Sequence, residues 1–298
     1  MPILSVANWG GINLHLRGNV HGYLWTGSRQ KWLRFIVGRH DLPFYYPEEV
    51  EIQRSFLACF LKGEDRSGWT TGQVPAVDLC LRKGDVGWNS PTGEKRFTRR
   101  SENEWPIART QYTKFYLNPD NSLTTEYQPH SPTAISYEAL GTIDNPHLIQ
   151  FEAKFVREVE ITGHVIAHLN VSVQSSTEPR SEKLDIDLFI TLRYISPDGN
   201  EVFYTGSSGD NVPVVKGWLR VSLRKICQDH HRRQAYLPYR EYLSTDVQPV
   251  EDCTVYPVDV KLWPTNVVIE KGGKLILEVS SGDTQGCGVF KHNSEIDR

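Results

Sequence analysis

Apolar residues occur in two short runs near the amino terminus and then in a helical stripe. Residues 2–8 (PILSVAN) and 31–38 (KWLRFIVG) are mostly apolar, as strands buried on both faces of a parallel sheet are. A helix is predicted to begin at Pro47 and to end at Gly63, positions that suit proline and glycine. The order strand, loop, strand, loop, helix is how a doubly wound α/β sheet ends, although it is too short for a whole one. The predicted helix carries one apolar stripe at four-residue spacing, formed by Ile52, Phe56 and Phe60.

From Gln111 onward the pattern changes to short strands at close spacing, separated by turn signals. This pattern is typical of an all-β sandwich or jelly roll. Asp198-Gly199 and Gly272-Gly273 are expected to form hairpin turns. The predicted strands are YTKFYL, LIQFEAKF, VEITGHVIAHLNVSV, LDIDLFITLRYI, NEVFYT, PVDVKLW, NVVIE and KLILEVS.

Residues 63–110 lie between these two regions and are predicted to connect them. They are rich in Gly, Ser, Trp and charged residues, with one strand-like segment at 74–81 (VPAVDLCL). The stretch at 88–106 (WNSPTGEKRFTRRSENEWP) is polar, and we expect it to form an exposed excursion.

Composition excludes several classes of function. The chain has 298 residues, of which 39% are hydrophobic, enough for a large core in one to two domains. With 33 Lys+Arg against 36 Asp+Glu, no basic face is implied and a nucleic-acid partner is not expected. No apolar run reaches the roughly 18 residues that span a bilayer, and MPILSVANWGG is not a secretion signal. We therefore expect no membrane association and a cytoplasmic location. The five scattered cysteines form no CxxC motif, which predicts reduced thiols.

The pair His40-Asp41 follows the second apolar run on a predicted loop, a mounting that suits a general base. Triad chemistry also needs a nucleophilic serine, usually in a GxSxG motif, and the chain contains none. The nearest string, Gly206-Ser-Ser-Gly209, has the wrong spacing and falls in a predicted turn of the β region. From the residues alone, His40 is either a catalytic base or a histidine bonded to backbone.

Other polar clusters have simpler interpretations. His164 and His168 are four residues apart, on one face of a predicted strand, but lack a carboxylate at zinc-ligand spacing. Asp185 and Asp187 share the polar face of a half-buried strand, with a calcium site as the alternative. The run at 230–233 (HHRR) is expected to be a solvated loop, or else an anion patch. The many tryptophans are expected to fill the core, although they could stack on sugars.

Several segments resemble a known family. The run NWGGINLHLRGN and the segment KWLRFIVGRHDLPFYYPEEVEIQRSFLACFLKGED resemble the cocaine-esterase/X-Pro dipeptidyl-peptidase (CocE/NonD) family of serine hydrolases. ITGHVIAHLNVSV, LDIDLFITLRYISPDGNEV, VVKGWLRVSLRKI and PVDVKLWPTNVVIEKGGKLILEVSS are similar to that family's C-terminal jelly-roll domain. The resemblance covers nearly the whole chain and rests on the ordered set of segments.

The resemblance implies a mainly β fold, a jelly-roll (galactose-binding-like) β-sandwich preceded by a remnant of an α/β-hydrolase domain. Residues 1–62 would be the tail of the hydrolase domain, with its last strands and helix. Residues 63–110 would be a connecting region. Residues 111–298 would be the jelly roll, with its last strand missing.

For function, the resemblance implies that His40 is the catalytic general base of a serine hydrolase. The family's triad Asp falls at Gly11, and its nucleophile elbow and oxyanion loop precede residue 1, so we expect this chain to be inactive alone. His15 and Arg17 match a family string without an assigned role. The implied substrate of an intact member is a small ester or an X-Pro peptide, with no cofactor or metal and with homo-oligomerisation possible.

Two alternatives stay open at this point. The β region could be a non-catalytic binding module for a carbohydrate or a protein partner, in which case exposed aromatic side chains would cluster at one end of the sandwich. The chain could also be a truncated gene product without a function of its own.

Overall fold

The computed structural model describes residues 1–12, 14–129, 131–139, 141–142, 144–175 and 184–284.

The amino-terminal region forms a four-stranded sheet. The strands lie in the order β1-β2-β3-β4, with β1, β2 and β3 parallel and β4 antiparallel to β3. The two predicted apolar runs are confirmed as neighbouring parallel strands. The bounds are β1 (Ile3–Asn8), β2 (Lys31–Ile36), β3 (Val77–Leu81) and β4 (Thr98–Glu102).

Two longer helices pack on this sheet, α1 (Leu16–Trp25) and α2 (Pro47–Lys62). The predicted bounds of α2 are confirmed, since proline occupies its first turn and Gly63 ends it with a left-handed φ of 74°. The apolar stripe of α2 packs against Trp32 of β2 and against Trp69. Arg34 of β2 ties the helix to the sheet, because its guanidinium donates to both carboxylate oxygens of Glu49 at 2.6 and 2.7 Å.

The stretch at 88–106 is not an exposed excursion, so that prediction is wrong. It contains a short helix, α3 (Pro91–Glu94), and the strand β4. Its aromatic residues Phe97 and Trp105 are buried in the core. A polar composition hides this because most residues of β4 face solvent and the buried apolar residues of the stretch are few.

All further strands in the described residues belong to the β region, and every ladder between them is antiparallel, although one isolated parallel bridge joins Ser122 to Glu152. Strands account for 32% of the described residues and helices for 14%, which makes the fold mainly β as predicted. Single turns of 3₁₀ helix occur at Pro43–Tyr45, Val221–Leu223 and Ser244–Asp246. The strands are β5 (Tyr116–Leu117), β6 (Leu123–Thr124), β7 (Leu148–Lys154), β8 (Val159–Gly163), β9 (Ile166–Val171), β10 (Asp187–Ile195), β11 (Glu201–Val202), β12 (Tyr204–Thr205), β13 (Asn211–Val212), β14 (Val215–Arg220), β15 (Tyr256–Lys261), β16 (Thr265–Ile269) and β17 (Lys274–Ser280).

The largest sheet of the β region has the order β11-β10-β17-β7, with β14 also paired to β10. A second ladder pairs β8 with β16 and β9 with β15. This ladder bends at Gly163, whose φ of 134° belongs to the region that glycine favours. A bridge between Gly217 and Leu262 joins the ladder to the large sheet. Hydrophobic residues from both regions of the chain form one continuous core.

The two predicted hairpin turns have different outcomes. Asp198-Gly199 connects the antiparallel pair β10 and β11, as predicted, and Gly199 has a φ of 87°. Gly272-Gly273 connects β16 to β17, and these strands do not pair with each other. The turn crosses from the bent ladder to the large sheet, so the hairpin prediction is wrong there.

Four cysteines lie within the described residues and all four are free thiols, as predicted; they are Cys59, Cys80, Cys227 and Cys253. Cys287 lies outside the described residues, and so does the end of the chain, at which the jelly roll is predicted to lack its last strand. Within the described parts of the chain, no helix combines the length and the apolar character that crossing a bilayer requires.

Candidate active-site histidine and its surroundings

His40 lies on the loop that follows β2, at the carboxyl end of the parallel strands, and it is exposed. The loop is held from both sides. The Asn8 side-chain amide donates to the carbonyl of Gly38 at 2.7 Å, and the His40 backbone N–H donates to the carbonyl of Ser207 at 2.9 Å. The carboxyl ends of parallel strands are where open α/β sheets place their ligands, so the position of His40 suits a reacting group.

The structure brings His15 next to His40, which the sequence did not predict. Their rings lie 4.9 Å apart between centroids, with 52° between the ring planes. His15 stands at the amino-terminal end of α1, in the segment that follows β1. Because β1 and β2 are neighbours in the sheet, the loops that leave them must meet, and this places both rings on the same edge.

No carboxylate in the described residues hydrogen-bonds to the His40 ring. Asp41 is bonded instead to its other neighbour, because Arg39 donates to the two carboxylate oxygens at 3.1 and 3.3 Å. The hydrogen bonds from Arg39 lower the pKa of the Asp41 carboxyl. Gly11, the position matched to the family's Asp, is buried, and a Cβ there would lie 3.0 Å from the carbonyl oxygen of Asn8. Neither candidate position therefore supplies a carboxylate to the His40 ring, because one is a glycine and the Asp41 carboxylate is bonded to Arg39.

The string at 206–209 does lie in a turn of the β region, between β12 and β13, as predicted. The sequence did not indicate that this turn packs against the His40 loop. Besides the backbone contact to His40, the hydroxyl of Ser207 donates to the carbonyl of Gly10 at 3.4 Å. Gly10 must be a glycine here, since a Cβ would come within 1.8 Å of the Thr205 carbonyl oxygen. The β region thus forms one wall around His40.

A second group of basic side chains lies where α1 faces the bent ladder. The Arg17 guanidinium sits over the Trp263 ring at 5.0 Å, and His21 follows Arg17 by one helical turn. Burial, then the charges of Lys261, Arg17 and Arg232, lower the pKa of His21 to about 4. Burial and the same Arg17 lower the pKa of Lys261 to about 8. Burial, together with these positive charges, keeps the His21 ring neutral at physiological pH.

Neither of the paired polar clusters forms a metal site. His164 is buried at the bend between β8 and β9 and accepts a hydrogen bond from the Trp105 indole at 3.2 Å. His168 is exposed and pairs with Asp259 at 2.5 Å. The prediction that both histidines share one strand face is therefore wrong, because the chain bends between them. The described residues hold no group of three or more metal-ligating side chains.

Asp185 and Asp187 are also engaged separately. The Asp187 carboxylate receives two hydrogen bonds from Arg220, at 2.8 and 2.9 Å. Asp185 accepts from the backbone amides of Ile186 and Ser222. The two carboxylates therefore take different donors, an arrangement that does not match a shared calcium site.

The tryptophans fill the core more than they line a surface. Trp88 is exposed, with 49% of its surface accessible, and its ring contacts the Phe203 ring edge-on at 5.9 Å between centroids. Five tryptophans are buried, namely Trp9, Trp32, Trp69, Trp105 and Trp263.

The predicted solvated loop at 230–233 is partly ordered by ring stacking, since the centroids of the His230 and Tyr239 rings lie 3.8 Å apart.

Comparison with known proteins now places the chain. Residues 68–298 match the family model described as the X-Pro dipeptidyl-peptidase C-terminal non-catalytic domain. The chain belongs to this family. The predicted resemblance to the C-terminal part of CocE/NonD hydrolases is thereby confirmed. His40 precedes the matched residues, in the parallel-sheet region.

Solved structures share the fold of this family member. A CocE/NonD family hydrolase from Staphylococcus aureus superposes with a TM-score of 0.82 at 24% identity, over 97% of this chain and 48% of that chain. An aminopeptidase from a marine sediment thaumarchaeon gives a TM-score of 0.61 at 12% identity, over 94% of this chain and 47% of that chain. An α-amino acid ester hydrolase gives 0.60 at 13% identity, over 98% and 48%.

Sequence relatives include proteins named as serine esterases from Mycobacterium bovis and Mycobacterium tuberculosis. Each is 20% identical over 245 residues, which covers 72% of this chain and 36% of the relative. The chain thus spans about a third of the length of these relatives, and about half the length of the solved structures above.

Proposed function

We propose that this chain is the C-terminal portion of a serine hydrolase of the X-Pro dipeptidyl-peptidase and acyl-esterase type, and that it supplies His40 as the general base. The observation that carries the proposal is the position of His40. It lies exposed at the carboxyl end of a parallel strand, on a loop held by hydrogen bonds to Asn8 on one side and to Ser207 on the other. A general base needs this combination of a rigid mounting and an open face.

The proposal includes a division of the chain. Residues 1–62 are the tail of an α/β-hydrolase domain, 63–110 a connecting region and 111–298 a galactose-binding-like jelly roll. The parallel pair β1 and β2, with the helices α1 and α2, supports the first assignment, because parallel strands joined through helices are typical of α/β folds. The connecting region adds β3 and β4 to the same sheet. The antiparallel pairing of all later strands supports the last.

The substrate class proposed is an ester or a peptide bond after proline. The relatives that carry esterase, ester-hydrolase and aminopeptidase names support hydrolysis of small acyl compounds. All of them are far longer than this chain, so the activity belongs to a larger assembly of which this chain is one part.

In the proposed chemistry His40 moves a proton twice. A serine Oγ–H that lies outside these residues would pass its proton to the imidazole as the oxygen bonds to the acyl carbon. The imidazolium would return that proton to the leaving alkoxide or amine, and a water molecule would repeat the cycle to release the acid. Because no carboxylate of the described residues is bonded to its ring, His40 lacks within them the partner that fixes the tautomer in a complete triad.

The chain by itself is proposed to be inactive, and fluorophosphonate labelling of the purified 298-residue chain, read by intact mass, tests this. The probe forms an adduct only with an activated serine, so we expect the mass to stay unchanged. Ser207 is the serine whose backbone contacts His40, and its hydroxyl bonds to a backbone carbonyl. The variant Ser207→Ala is therefore the matched control.

A stoichiometric adduct would overturn the proposed inactivity. If that adduct disappears in Ser207→Ala and in His40→Ala, the nucleophile and base would both lie within this chain. If it persists in Ser207→Ala, peptide mapping identifies another serine and the role proposed for the missing nucleophile elbow is refuted.

A further inference from the structure

Arg82 is a fully buried guanidinium at the boundary between the four-stranded sheet and the β region. It directly follows β3, and its residue exposure is 1%. Its Nε donates to the carbonyl of Asn266 at 2.7 Å, and its Nη2 donates to Thr265 Oγ1 at 2.8 Å and to the carbonyl of Val214 at 3.1 Å. Arg82 therefore joins β3 to β16 and to the segment that enters β14.

The charge of Arg82 lacks an opposite charge. No carboxylate of the described residues forms an ion pair with it, and its guanidinium donates to two carbonyls and a hydroxyl. Burial lowers the pKa of the guanidinium to about 10, which leaves it protonated at neutral pH. The faces of Tyr204 and Trp9 lie 4.1 and 5.8 Å from its central carbon and stabilise the cation in part. A buried charge that is not neutralised is otherwise strongly unfavourable.

Two hydrogen-bond donors at this place have no acceptor. Arg82 Nη1 and the Tyr204 hydroxyl are both buried, and neither has a hydrogen-bond partner within the described part of the chain. Burial raises the pKa of Tyr204, so the phenol keeps its proton and can donate. An acceptor with a negative charge would pair with both donors and also neutralise the guanidinium, and would therefore stabilise the folded chain.

Arg82 and Tyr204 line the same small cavity, together with Trp9, Gly10 and Thr205. About 10 Å³ of it is open to the centre of a water-sized particle. This is room for about one water-sized particle. A chloride ion is somewhat larger, so its binding requires the lining side chains to move slightly apart, whereas phosphate, sulfate and carboxylate groups each bring several heavy atoms.

We propose that this cavity binds a single monatomic anion, with chloride as the physiological species, held by Arg82 Nη1–H and the Tyr204 O–H. The anion supplies the missing negative charge at the boundary between the two regions. Glu94 also borders the cavity, and its carboxylate accepts a hydrogen bond from the Thr205 hydroxyl on that side. A water molecule is the uncharged alternative, and it would satisfy the donors without neutralising the guanidinium.

The test is a thermal unfolding series on the full chain at constant ionic strength and pH, in which sodium gluconate is replaced stepwise by sodium chloride or sodium bromide. We expect the unfolding midpoint to rise saturably with chloride and with bromide, by roughly 5 °C at 100 mM for a dissociation constant near 1 mM. Sodium sulfate at the same ionic strength should give no such rise, because sulfate is too large for the cavity.

Tyr204→Phe is the decisive variant, because it removes one donor and keeps the ring that faces Arg82. It should fold and lose most of the chloride-dependent rise. Tyr194→Phe is the matched control, since the Tyr194 hydroxyl is already paired with Glu270 at 3.1 Å. It should keep the full rise.

Three results would overturn the proposal. Equal midpoints in gluconate and chloride would mean that a water molecule occupies the cavity. An unchanged rise in Tyr204→Phe would place any chloride elsewhere on the protein. A crystal grown in bromide with no anomalous peak beside Arg82 Nη1 would exclude the site directly.

Discussion

The buried ring of His164 predicts that the protein loses stability at mildly acidic pH. The ring is buried at the bend of the ladder, accepts a hydrogen bond from the Trp105 indole and has its Nδ1 unpaired within the described residues. Burial, followed by the nearby His21 and Lys261, lowers the pKa of His164 from 6.5 to about 3. The folded protein therefore keeps this ring neutral under conditions in which the unfolded chain protonates it.

Proton linkage determines the direction in which His164 changes the unfolding free energy with pH. Because the folded-state pKa lies below the unfolded value, the unfolded chain binds the proton first as the pH falls. The contribution of His164 is fully present above about pH 6.5 and is lost progressively down to about pH 3. Between pH 7.5 and pH 5.0 the loss is about 2 kcal/mol for this one group, a value that depends on the unfolded pKa and hardly on the exact folded one.

The assay is urea unfolding at pH 7.5 and at pH 5.0, for the wild type and for His164→Gln. Glutamine keeps an oxygen that can accept from Trp105 but does not titrate. We expect the pH-dependent loss of unfolding free energy to be smaller in the variant by about 2 kcal/mol. Carboxylates and His21 titrate in both proteins, so their contributions cancel in the difference.

Tyr236→Phe serves as the control, because Tyr236 stacks on the His164 ring at 5.8 Å and its change leaves the imidazole in place. This variant should show the wild-type loss between the two pH values. If wild type and His164→Gln lose the same free energy, His164 is not buried as a neutral ring and the reasoning is refuted.

Two further predictions concern the close approach at Gly10 and the charge beside His21. Gly10→Ala should destabilise the chain by several kcal/mol or prevent folding, because its Cβ would meet the Thr205 carbonyl at 1.8 Å. Gly22→Ala in α1 meets nothing within 4 Å and should stabilise by about 0.5–1 kcal/mol; equal urea midpoints for the two variants would contradict the close approach at residue 10. Lys261→Met should raise the pKa of His21 from about 4, since Lys261 is the largest of the charges that lower it. An NMR titration of the imidazole that shows no rise would mean that burial alone accounts for the shift.

Local pattern predicted much of the secondary structure of this protein. The helix from Pro47 to Gly63 follows from proline in its first turn, glycine after its last and apolar residues at four-residue spacing, all of which act within one helical turn. The parallel strands β1 and β2 likewise follow from apolar runs, which only burial on both faces explains. The order of these segments was also enough to indicate the family.

The wrong predictions concern segments whose structure depends on contacts with residues far away in the sequence. The stretch at 88–106 is polar in composition, yet a strand within it pairs with β3 and its few aromatic residues reach the core. The turn at Gly272-Gly273 has hairpin residues, but the strands around it pair with β7, β8 and β10 instead of with each other. The local chemistry of a turn does not determine which sheet each flanking strand joins.

The sequence by itself determined which residues are candidates for a catalytic role, and it indicated His40 on a loop after a buried strand. Only the tertiary structure decided what surrounds that histidine. The ring of His15 and the turn at 206–209 reach His40 from 25 residues before it and from more than 160 residues after it. The same holds for Arg82, whose partners lie 132 to 184 residues away. Periodicity and capping act over a few residues, whereas a site is made by packing between segments that are distant in the chain, and no local pattern encodes that packing.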